Sequence, residues 1–322
     1  MQSLKMITTS INKAIEVLQS NELVAVPTET VYGLAANAYS DYAIKKIFDL
    51  KKRPLYNPLI VHIKSTTYLD EIAQNIPEAA KLLAQKFWPG PLTLLLEKKS
   101  HVSDLLTAGK ETVALRVPNH PLILAVLEKL EFPLAAPSAN PFGSISPTCA
   151  EHVFNYFGNA LPVILDGGDC ERGIESTIIG FEGEKPILYR HGSLSIEDIE
   201  QVVGTLIVRI KNDQQPNAPG MLSRHYSPST DTYLTTHVEE LVKQFEGKKI
   251  GLLLFKTEFL NNEIQLQEIL SRNGDLTEAS RNLYAALHRL DKANIDVIIA
   301  EKLPNHGLGK TLNDRLQRAV QK

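Results

Sequence analysis

The first half of the chain contains one motif with two cations and another with two neutral hydrogen-bond donors. Lys51-x-Arg53 lies at the end of a predicted helix, and Ser138-x-Asn140 follows Pro137 on a predicted loop. An ammonium group and a guanidinium fork can bind phosphates and carboxylates, and hydroxyl and amide groups add neutral donors. On charge alone, the basic stretch around Lys51 could equally be a solvated helix face.

Other segments also combine chain-turning residues with charged or hydroxyl side chains, and each lies just after or between predicted strands. In open α/β sheets, ligands bind where loops leave the strand ends. We therefore treat these segments together as one candidate ligand site. They are residues 27–33, 51–58, 136–140, 168–177 and 189–192.

The elements that must position these segments alternate between strand and helix patterns, which is typical of an α/β or mixed α+β layer fold. Short apolar runs predict the strands, and i, i+3, i+4 spacing with caps predicts the helices. Predicted strands are 22–27, 59–63, 92–96, 112–117, 134–136, 163–166, 176–181 and 186–189. Predicted helices are 41–51, 77–87, 121–130, 150–157 and 196–203.

The chain has 322 residues, which argues for two domains. Residues 211–230 are rich in Pro, Asn, Gln, Gly and Ser and read as a linker between a domain at 1–210 and a smaller one at 231–322. The smaller domain has its own α/β pattern. Its predicted strands are 249–255 and 295–300, and its predicted helices are 276–290 and 309–320.

Composition excludes several classes of protein. Hydrophobic residues make up 43% and charged residues 22%, which excludes wholesale disorder. No apolar run reaches the roughly 18 residues of a membrane span, and the first residues lack the apolar core of a signal peptide. A net charge of −3 argues against general nucleic-acid binding. Two cysteines cannot form a disulfide framework, so we expect a reduced, cytoplasmic setting.

A phosphate-binding P-loop is suggested near the end of the chain but is incomplete. Gly307-Leu-Gly-Lys-Thr311 resembles the tail of G-x-x-x-x-G-K-[ST], yet Pro304 stands where the first glycine should be. Proline has no N–H to offer a phosphate and cannot adopt a positive φ. We therefore expect a helix N-terminus with glycine turns.

The ordered segments of the first domain resemble the YrdC family, the L-threonylcarbamoyladenylate synthases. The family signature K-x-R followed by S-x-N reads here as Lys51-x-Arg53 and Ser138-x-Asn140. The linker and smaller second domain resemble the family's long branch, and the GLG-x-x-x-N-D-R-L pattern at 307–316 supports this. The other matching segments are PTETVYGL at 27–34, KRPLYNPLIVH at 52–62, WPGPLTL at 88–94, ALRVPNHP at 114–121, APSANPFGSISPT at 136–148 and ESTIIGF at 175–181.

The resemblance implies a fold, an activity and partners. The fold is a twisted open mixed sheet with flanking helices, then a linker and a smaller Rossmann-like α/β domain. The activity joins L-threonine, bicarbonate or CO2 and ATP into threonylcarbamoyl-AMP and pyrophosphate, with Mg²⁺ accompanying ATP. This product serves the N6-threonylcarbamoyl modification of adenosine 37 in tRNA, so tRNA is an indirect partner through downstream transfer enzymes.

The resemblance also implies roles for single residues. Lys51 and Arg53 are expected to contact the triphosphate and carry the catalysis. ATP contacts are expected from Lys51, Arg53, Asn57, Thr112, Ser138, Asn140, Ser146, Arg190, His225 and Tyr226. Threonine contacts are expected from Thr30, Tyr32, His62, Arg116, Ala136 and Ser176.

Alternatives remain at this point. His225 and Tyr226 could make the linker an active-site lid, or the linker could be an inert tether. The whole chain could instead be an RNA-binding module without synthase activity, although its acidity argues against tight unspecific binding. A carbamoyl-transfer domain of the hydrogenase-maturation type would need zinc fingers, which two cysteines cannot build.

Overall fold

A computed structural model describes residues 6–210, 218–221, 226–261 and 264–320. Its strands form a sheet of eleven strands in the first part of the chain and a sheet of four strands in the second. The strands of the large sheet are β1 Ile7–Thr8, β2 Val24–Val26, β3 Gly33–Asn37, β4 Ile60–His62, β5 Leu92–Glu97, β6 Thr112–Arg116, β7 Leu134–Ala135, β8 Val163–Leu165, β9 Thr177–Glu182, β10 Lys185–Arg190 and β11 Ile207–Val208.

The large sheet is open and mixed, as the sequence predicts. Its strand order is β1-β8-β2-β3-β7-β4-β6-β5-β9-β10-β11, with β1 and β11 at its two edges. The pairs β1–β8 and β4–β6 are parallel, whereas β2–β3 and β5–β6 are antiparallel. This order brings the ends of β4, β6, β9 and β10 close to one another, and these strands carry several of the predicted site residues.

Helices cover both faces of the large sheet. Strand β2 shows this, since Val24 and Val26 pack in one apolar cluster and Ala25 in another. Successive side chains of a strand point to opposite faces. The helices are α1 Ile11–Gln19, α2 Asp41–Lys51, α3 Leu69–Ile72, α4 Glu78–Phe87, α5 Asp104–Thr107, α6 Pro121–Lys129, α7 Ala150–Phe157 and α8 Ile196–Val203.

Helix α2 delivers the first cationic motif to the interior. The Ser40 hydroxyl caps its first turn by accepting the Ala43 N–H. The helix ends at Lys52, which adopts a left-handed backbone with φ of 51°. The left-handed turn leaves Lys52 exposed while Lys51 and Arg53 on either side of it are buried. Lys52 is therefore a surface cation, not a third charge inside the site.

The second domain is a small parallel sheet flanked by helices, which fits the expected Rossmann-like architecture. Its strand order is β12-β15-β13-β14, and every pair is parallel. Burial of Leu283, Leu287, Ile298 and Leu312 fixes the long helix α10 and the last helix α11 on this sheet. The elements are β12 Asp231–Thr235, α9 Val238–Gln244, β13 Ile250–Leu254, β14 Ile264–Ile269, α10 Leu276–Lys292, β15 Val297–Glu301 and α11 Leu308–Ala319.

The GLGKT segment serves packing at the start of α11. A Cβ on Gly309 would lie 1.8 Å from the Pro304 carbonyl oxygen, so only glycine fits there. The Thr311 hydroxyl donates to the carbonyl of Gly192 in the first domain. The expectation of a glycine-containing helix N-terminus is confirmed.

Several elements lie outside the sequence prediction. The larger ones are helices α1 and α9 and strands β3, β12 and β14. Strand β3 reads Gly-Leu-Ala-Ala-Asn, which has no β-branched residue to mark it. The two sheets lie on either side of residues 211–230, while the boundaries of the three predicted regions stay a prediction. Within the described residues, no helix has the length and apolar character needed to cross a bilayer.

Helix α10 of the second domain packs closely on the first domain. Gly173 faces the backbone of Arg281, and the Ser280 hydroxyl donates to the carbonyl of Arg172. About two turns further along, the rings of His288 on α10 and His152 on α7 stack with their centroids 3.8 Å apart. The His288 Nε2 lies 3.2 Å from the Ser146 carbonyl oxygen.

Gly173→Ala, compared with Gly168→Ala, tests this close approach. Both glycines have a positive φ, 71° and 77°, so alanine carries a similar backbone strain of about 1 kcal/mol at either position. A Cβ at Gly173 would lie 2.4 Å from the Arg281 carbonyl oxygen, whereas the space at Gly168 is open. We expect Gly173→Ala to lower the melting temperature by roughly 5 °C more than Gly168→Ala. Equal calorimetric melting temperatures would contradict the contact.

The stacked histidines predict an acid-sensitive domain contact. Burial lowers the pKa of His288 to about 4, and burial together with the His288 charge lowers the pKa of His152 to about 3. Below the ordinary histidine pKa of about 6.5, the unfolded chain binds protons that the folded chain does not. Their contribution to stability is therefore complete above about pH 6.5 and is lost as the pH falls toward 4 and 3.

Thermal unfolding measured from pH 7 to pH 4 checks this expectation. The wild type should lose stability steadily across that range. His152→Phe keeps a stacking ring but cannot titrate, so its melting temperature should fall less steeply with pH. Parallel pH profiles for the two proteins would show that the histidine stack does not control the effect.

Candidate active site

A small cavity of about 50 Å³ lies where the polar loops of the first domain meet the segment that precedes the second domain. It collects side chains from segments that are far apart in the sequence, as the candidate-site interpretation expects. Nine of the sixteen predicted site residues line it, namely Thr30, Arg53, His62, Arg116, Ala136, Ser138, Ser176, Arg190 and Tyr226.

Three arginines give the cavity its charge. Arg53, Arg116 and Arg190 all line it, and each has less than a tenth of its surface exposed. Burial and the neighbouring charge of Arg190 lower the pKa of Arg53 to about 9. Burial also lowers the pKa of Arg190. These shifts mean that the cavity disfavours further positive charge and favours an anion.

Backbone and side-chain acceptors hold the guanidinium of Arg53 in a fixed orientation. Its Nε donates to the Asn57 carbonyl at 3.1 Å, and its Nη2 donates to the Asn57 Oδ1 and the Pro58 carbonyl, both at 2.7 Å. Asn57 thus supports Arg53 from behind and is not a cavity-lining residue. Its Nδ2 has no hydrogen-bond partner within the described part of the chain.

Arg190, at the end of strand β10, links the first domain to the segment before the second. Its Nη2 donates to the carbonyl and the hydroxyl of Ser176, each at 2.9 Å. Its Nη1 donates to the Pro219 carbonyl at 3.2 Å. The Ser176 hydroxyl also lies 2.7 Å from Thr93 Oγ1, so this serine is held from two sides.

Lys51 occupies a place that the sequence did not predict. It does not line the cavity, and its Nζ donates to the carbonyls of Ser138 and Asn140, both at 2.5 Å. Burial and the charge of Arg53 hold the pKa of Lys51 well below its ordinary value. The lysine of the first motif therefore fastens the loop of the second motif, and the two halves of the signature form one structural unit.

Besides Asn57, two other polar side chains near the cavity have hydrogen-bonding atoms without a partner among the described residues. His62 is buried, and both of its ring nitrogens lack a partner among the described residues. Burial and the charge of Arg116 hold the pKa of His62 well below its usual range, so its imidazole is neutral. The Asn140 Oδ1 also lacks a partner in the described ranges, while its Nδ2 donates to the Pro141 and Ser144 carbonyls. Buried polar atoms without partners are rare, and they indicate an absent ligand or water.

Three of the remaining predicted residues, Tyr32, Thr112 and Ser146, do not line the cavity. The Tyr32 hydroxyl donates to the Gly168 carbonyl at 2.8 Å, so this side chain braces a loop rather than forming a pocket wall. Thr112 begins strand β6, about 13 Å along the strand from Arg116 at its other end. The Ser146 hydroxyl donates to Glu175 at 2.7 Å. His225 lies outside the described residues.

Glu175 is a site residue to which the sequence interpretation gave no role. It is the carboxylate that lines the cavity, and it accepts hydrogen bonds from Ser146, from the Tyr284 hydroxyl and from Arg315 Nε at 3.0 Å. Burial alone would raise its pKa, but the charges of Arg315 and Arg190 and the Ser146 bond lower it to about 2. The only sequence signal was its place inside a matching motif, because two of its partners, Tyr284 and Arg315, lie in the second domain.

The second domain also supports the wall that Tyr226 forms. The Tyr226 ring stacks on Tyr284 with centroids 5.6 Å apart, and the Arg315 guanidinium carbon lies 4.8 Å from its centroid. Arg318 Nη1 donates to the Gly220 carbonyl at 2.9 Å. Pro219, Gly220 and Tyr226 thus form one side of the cavity, and Gly220 and Tyr226 rest on side chains of helices α10 and α11.

Comparisons with known proteins agree with this architecture. Residues 16–192 match the Sua5/YciO/YrdC family model, described as "Telomere recombination". Residues 194–320 match the model described as "Threonylcarbamoyl-AMP synthase, C-terminal domain". The chain is 41% identical to a threonylcarbamoyl-AMP synthase of Pyrococcus abyssi, over 94% of this chain and 91% of that protein. It is 39% identical to one of Bacillus subtilis, over 96% of this chain and 92% of that protein.

A solved structure shows the same arrangement of domains. The crystal structure of P. abyssi Sua5 complexed with L-threonine matches with a TM-score of 0.89 and 41% identity, covering 96% of this chain and 94% of that chain. The similarity extends through both sheets and not only through the first domain. The chain therefore belongs to the Sua5/YciO/YrdC family, in its two-domain form with a threonylcarbamoyl-AMP synthase C-terminal domain.

Proposed function

We propose that the cavity binds L-threonine and ATP side by side and forms threonylcarbamoyl-AMP. The observation that carries this proposal is the group of three buried arginines around one cavity, Arg53, Arg116 and Arg190. The cavity-lining carboxylate, Glu175, is already paired with Arg315. Arg116 is paired with Glu29, whereas the described residues form no ion pair with Arg53 or Arg190. Buried cations whose charge is only partly balanced favour ligands that bring several negative charges, and ATP with an amino acid does so. The relatives that match nearly the whole chain are named threonylcarbamoyl-AMP synthase, which favours the synthase over the RNA-binding module.

The reaction that fits such a site needs no protein nucleophile. The amino group of threonine takes up bicarbonate or CO2 to give a carbamate; with bicarbonate one water leaves, and with CO2 one proton leaves to solvent. A carbamate oxygen then attacks the α-phosphorus of ATP, the bond from that phosphorus to the bridging oxygen of the β-phosphate breaks, and pyrophosphate departs. The protein holds two anions in contact and stabilises charge on the phosphates, which is catalysis by positioning and electrostatics.

The residues divide between the two substrates. Arg53 and Arg190 suit the phosphates, because both guanidinium groups line the cavity and are held in a fixed orientation next to a polar loop. Lys51 lies outside the cavity and donates a hydrogen bond to the Ser138 carbonyl, which keeps the Ser138 hydroxyl in place. Ser146 acts through Glu175. We do not assign Thr112 a contact, since strand β6 carries it away from the cavity.

The threonine end suits Arg116, His62 and the hydroxyls of Thr30 and Ser176. Arg116 offers a guanidinium to the amino-acid carboxylate. In neutral His62 one ring nitrogen donates a hydrogen bond and the other accepts one, and either can pair with a substrate hydroxyl. A pocket with such unpaired groups rejects analogues that lack the hydroxyl.

Two features of the nucleotide end are also proposals. A cavity of about 50 Å³ is far smaller than the roughly 300 Å³ or more of a typical ligand pocket, so residues 218–221 and Tyr226 act as a lid that ATP displaces.

The described residues contain no group of three or more His, Cys, Asp or Glu side chains able to hold a metal. Mg²⁺ then enters on the phosphate oxygens of ATP, which together with water are its usual ligands in such sites.

Pyrophosphate release tests the proposed function. We expect release to require ATP, threonine and bicarbonate together, and to stop when any one of them is omitted. Release from ATP alone at the full rate would contradict the synthase. Strong retention of tRNA that is lost with salt, without any effect of threonine on ATP, would favour the RNA-binding module instead.

Arg53→Gln, compared with Arg209→Gln, tests the role of the cavity arginines. Losing a charge-assisted hydrogen bond costs roughly 1.5–3 kcal/mol, so kcat/KM for ATP should fall at least tenfold in Arg53→Gln. Arg209 pairs with Glu182 on the exposed edge of the large sheet, and its substitution should leave kcat/KM within twofold. Near-normal turnover by a folded Arg53→Gln protein would refute the phosphate contact.

A further inference from the structure

We infer that Glu29 is a positioning residue for the amino-acid end of the site and acts entirely through Arg116. The inference rests on the proposed function, because it concerns how the substrate carboxylate is held. It gives a role to a carboxylate that lies inside the PTETVYGL segment and had none in the sequence interpretation.

Arg116 has two of its donor positions engaged by the protein. Its Nε donates to the Gly90 carbonyl at 3.1 Å, and its Nη2 donates to Glu29 Oε1 at 2.6 Å. No residue within the described ranges accepts from its Nη1, and the side chain lines the cavity. The guanidinium therefore turns one edge to the protein and keeps donors for a ligand on the other.

Glu29 is fixed just as firmly and cannot reach a ligand itself. Its side chain is 2% exposed and does not line the cavity. One carboxylate oxygen holds Arg116, and the other accepts the backbone N–H of Asn119 at 3.0 Å. Its own carbonyl accepts the N–H of Arg172 at 2.7 Å, which locks the backbone as well. Any influence of Glu29 on the substrate must pass through the orientation and charge of Arg116.

The pairing solves a problem of burial. The Arg116 guanidinium is only 3% exposed, and burying it without a counter-charge would be costly. The carboxylate that lines the cavity, Glu175, is paired with Arg315 instead. Glu29 supplies the counter-charge from the rear, so Arg116 stays in the plane that a bidentate substrate carboxylate requires. Without Glu29, Arg116 would keep only the Gly90 bond and could turn away from that plane. A shift of about 1 Å at such a contact can cost a hundredfold in rate or affinity.

The test measures Glu29→Gln in the full-length protein. We expect KM for threonine to rise at least tenfold while KM for ATP stays within threefold. The preference for threonine over threoninol, which lacks the carboxylate, should shrink by at least tenfold in a competition assay. A purely structural role would lower the amount of active protein and leave both ratios unchanged. Glu22→Gln, at an exposed glutamate paired with Lys46, is the matched control and should change neither ratio.

Further variants keep the inference open to refutation if Glu29→Gln does not fold. Glu29→Asp keeps the charge but shortens the reach by one methylene, and its threonine KM should also rise. In Arg116→Gln the carboxylate preference is already lost, so adding Glu29→Gln should cause no further loss of it. Unchanged or lower threonine KM in folded Glu29 variants would overturn the inference. Absence of threonine-dependent pyrophosphate release in the wild type would instead overturn the proposed function.

Discussion

Mutual repulsion among buried arginines is the constraint on which the rest of this site depends. Arg53, Arg116 and Arg190 surround one small cavity, and burial next to Arg190 lowers the pKa of Arg53. Like charges in a poorly solvated space store unfavourable energy that an anionic ligand relieves. The fold sustains this arrangement because each guanidinium is also held by carbonyl oxygens from rigid loops. The site is thus prepared for negative charge before any substrate arrives.

Two carboxylates of the first domain partly balance these positive charges, and the arginine that each one pairs with lies in a different domain. Glu29 balances Arg116 from within the first domain, and Glu175 is held by Arg315 from the second. The second domain therefore contributes to the site through Arg315, which also contacts the ring of Tyr226. This explains physically why a domain with its own separate sheet should accompany the first one. It supports the cavity wall that includes Gly220 and Tyr226.

The sequence predicted the architecture well and the supporting contacts poorly. Helices α2, α7 and α8 have the predicted bounds, because capping residues and regular apolar spacing mark their ends. Motifs also identified most of the cavity-lining side chains. The burial of Lys51 against the Ser138 loop was not predicted, because it depends on a contact 87 residues away in the sequence. Arg315 and Tyr284 were missed for the same reason, since spacing within a chain carries no information about which distant side chains meet.

A crystal structure with a non-hydrolysable ATP analogue and L-threonine would test whether the three buried arginines bind both substrates. We predict phosphate oxygens within hydrogen-bond distance of Arg53 and Arg190, and the amino-acid carboxylate on the free edge of Arg116. We also predict that the two ligands touch each other, with the threonine nitrogen on the side of the α-phosphate. Ligands that bind elsewhere and leave the three arginines facing only water would contradict it.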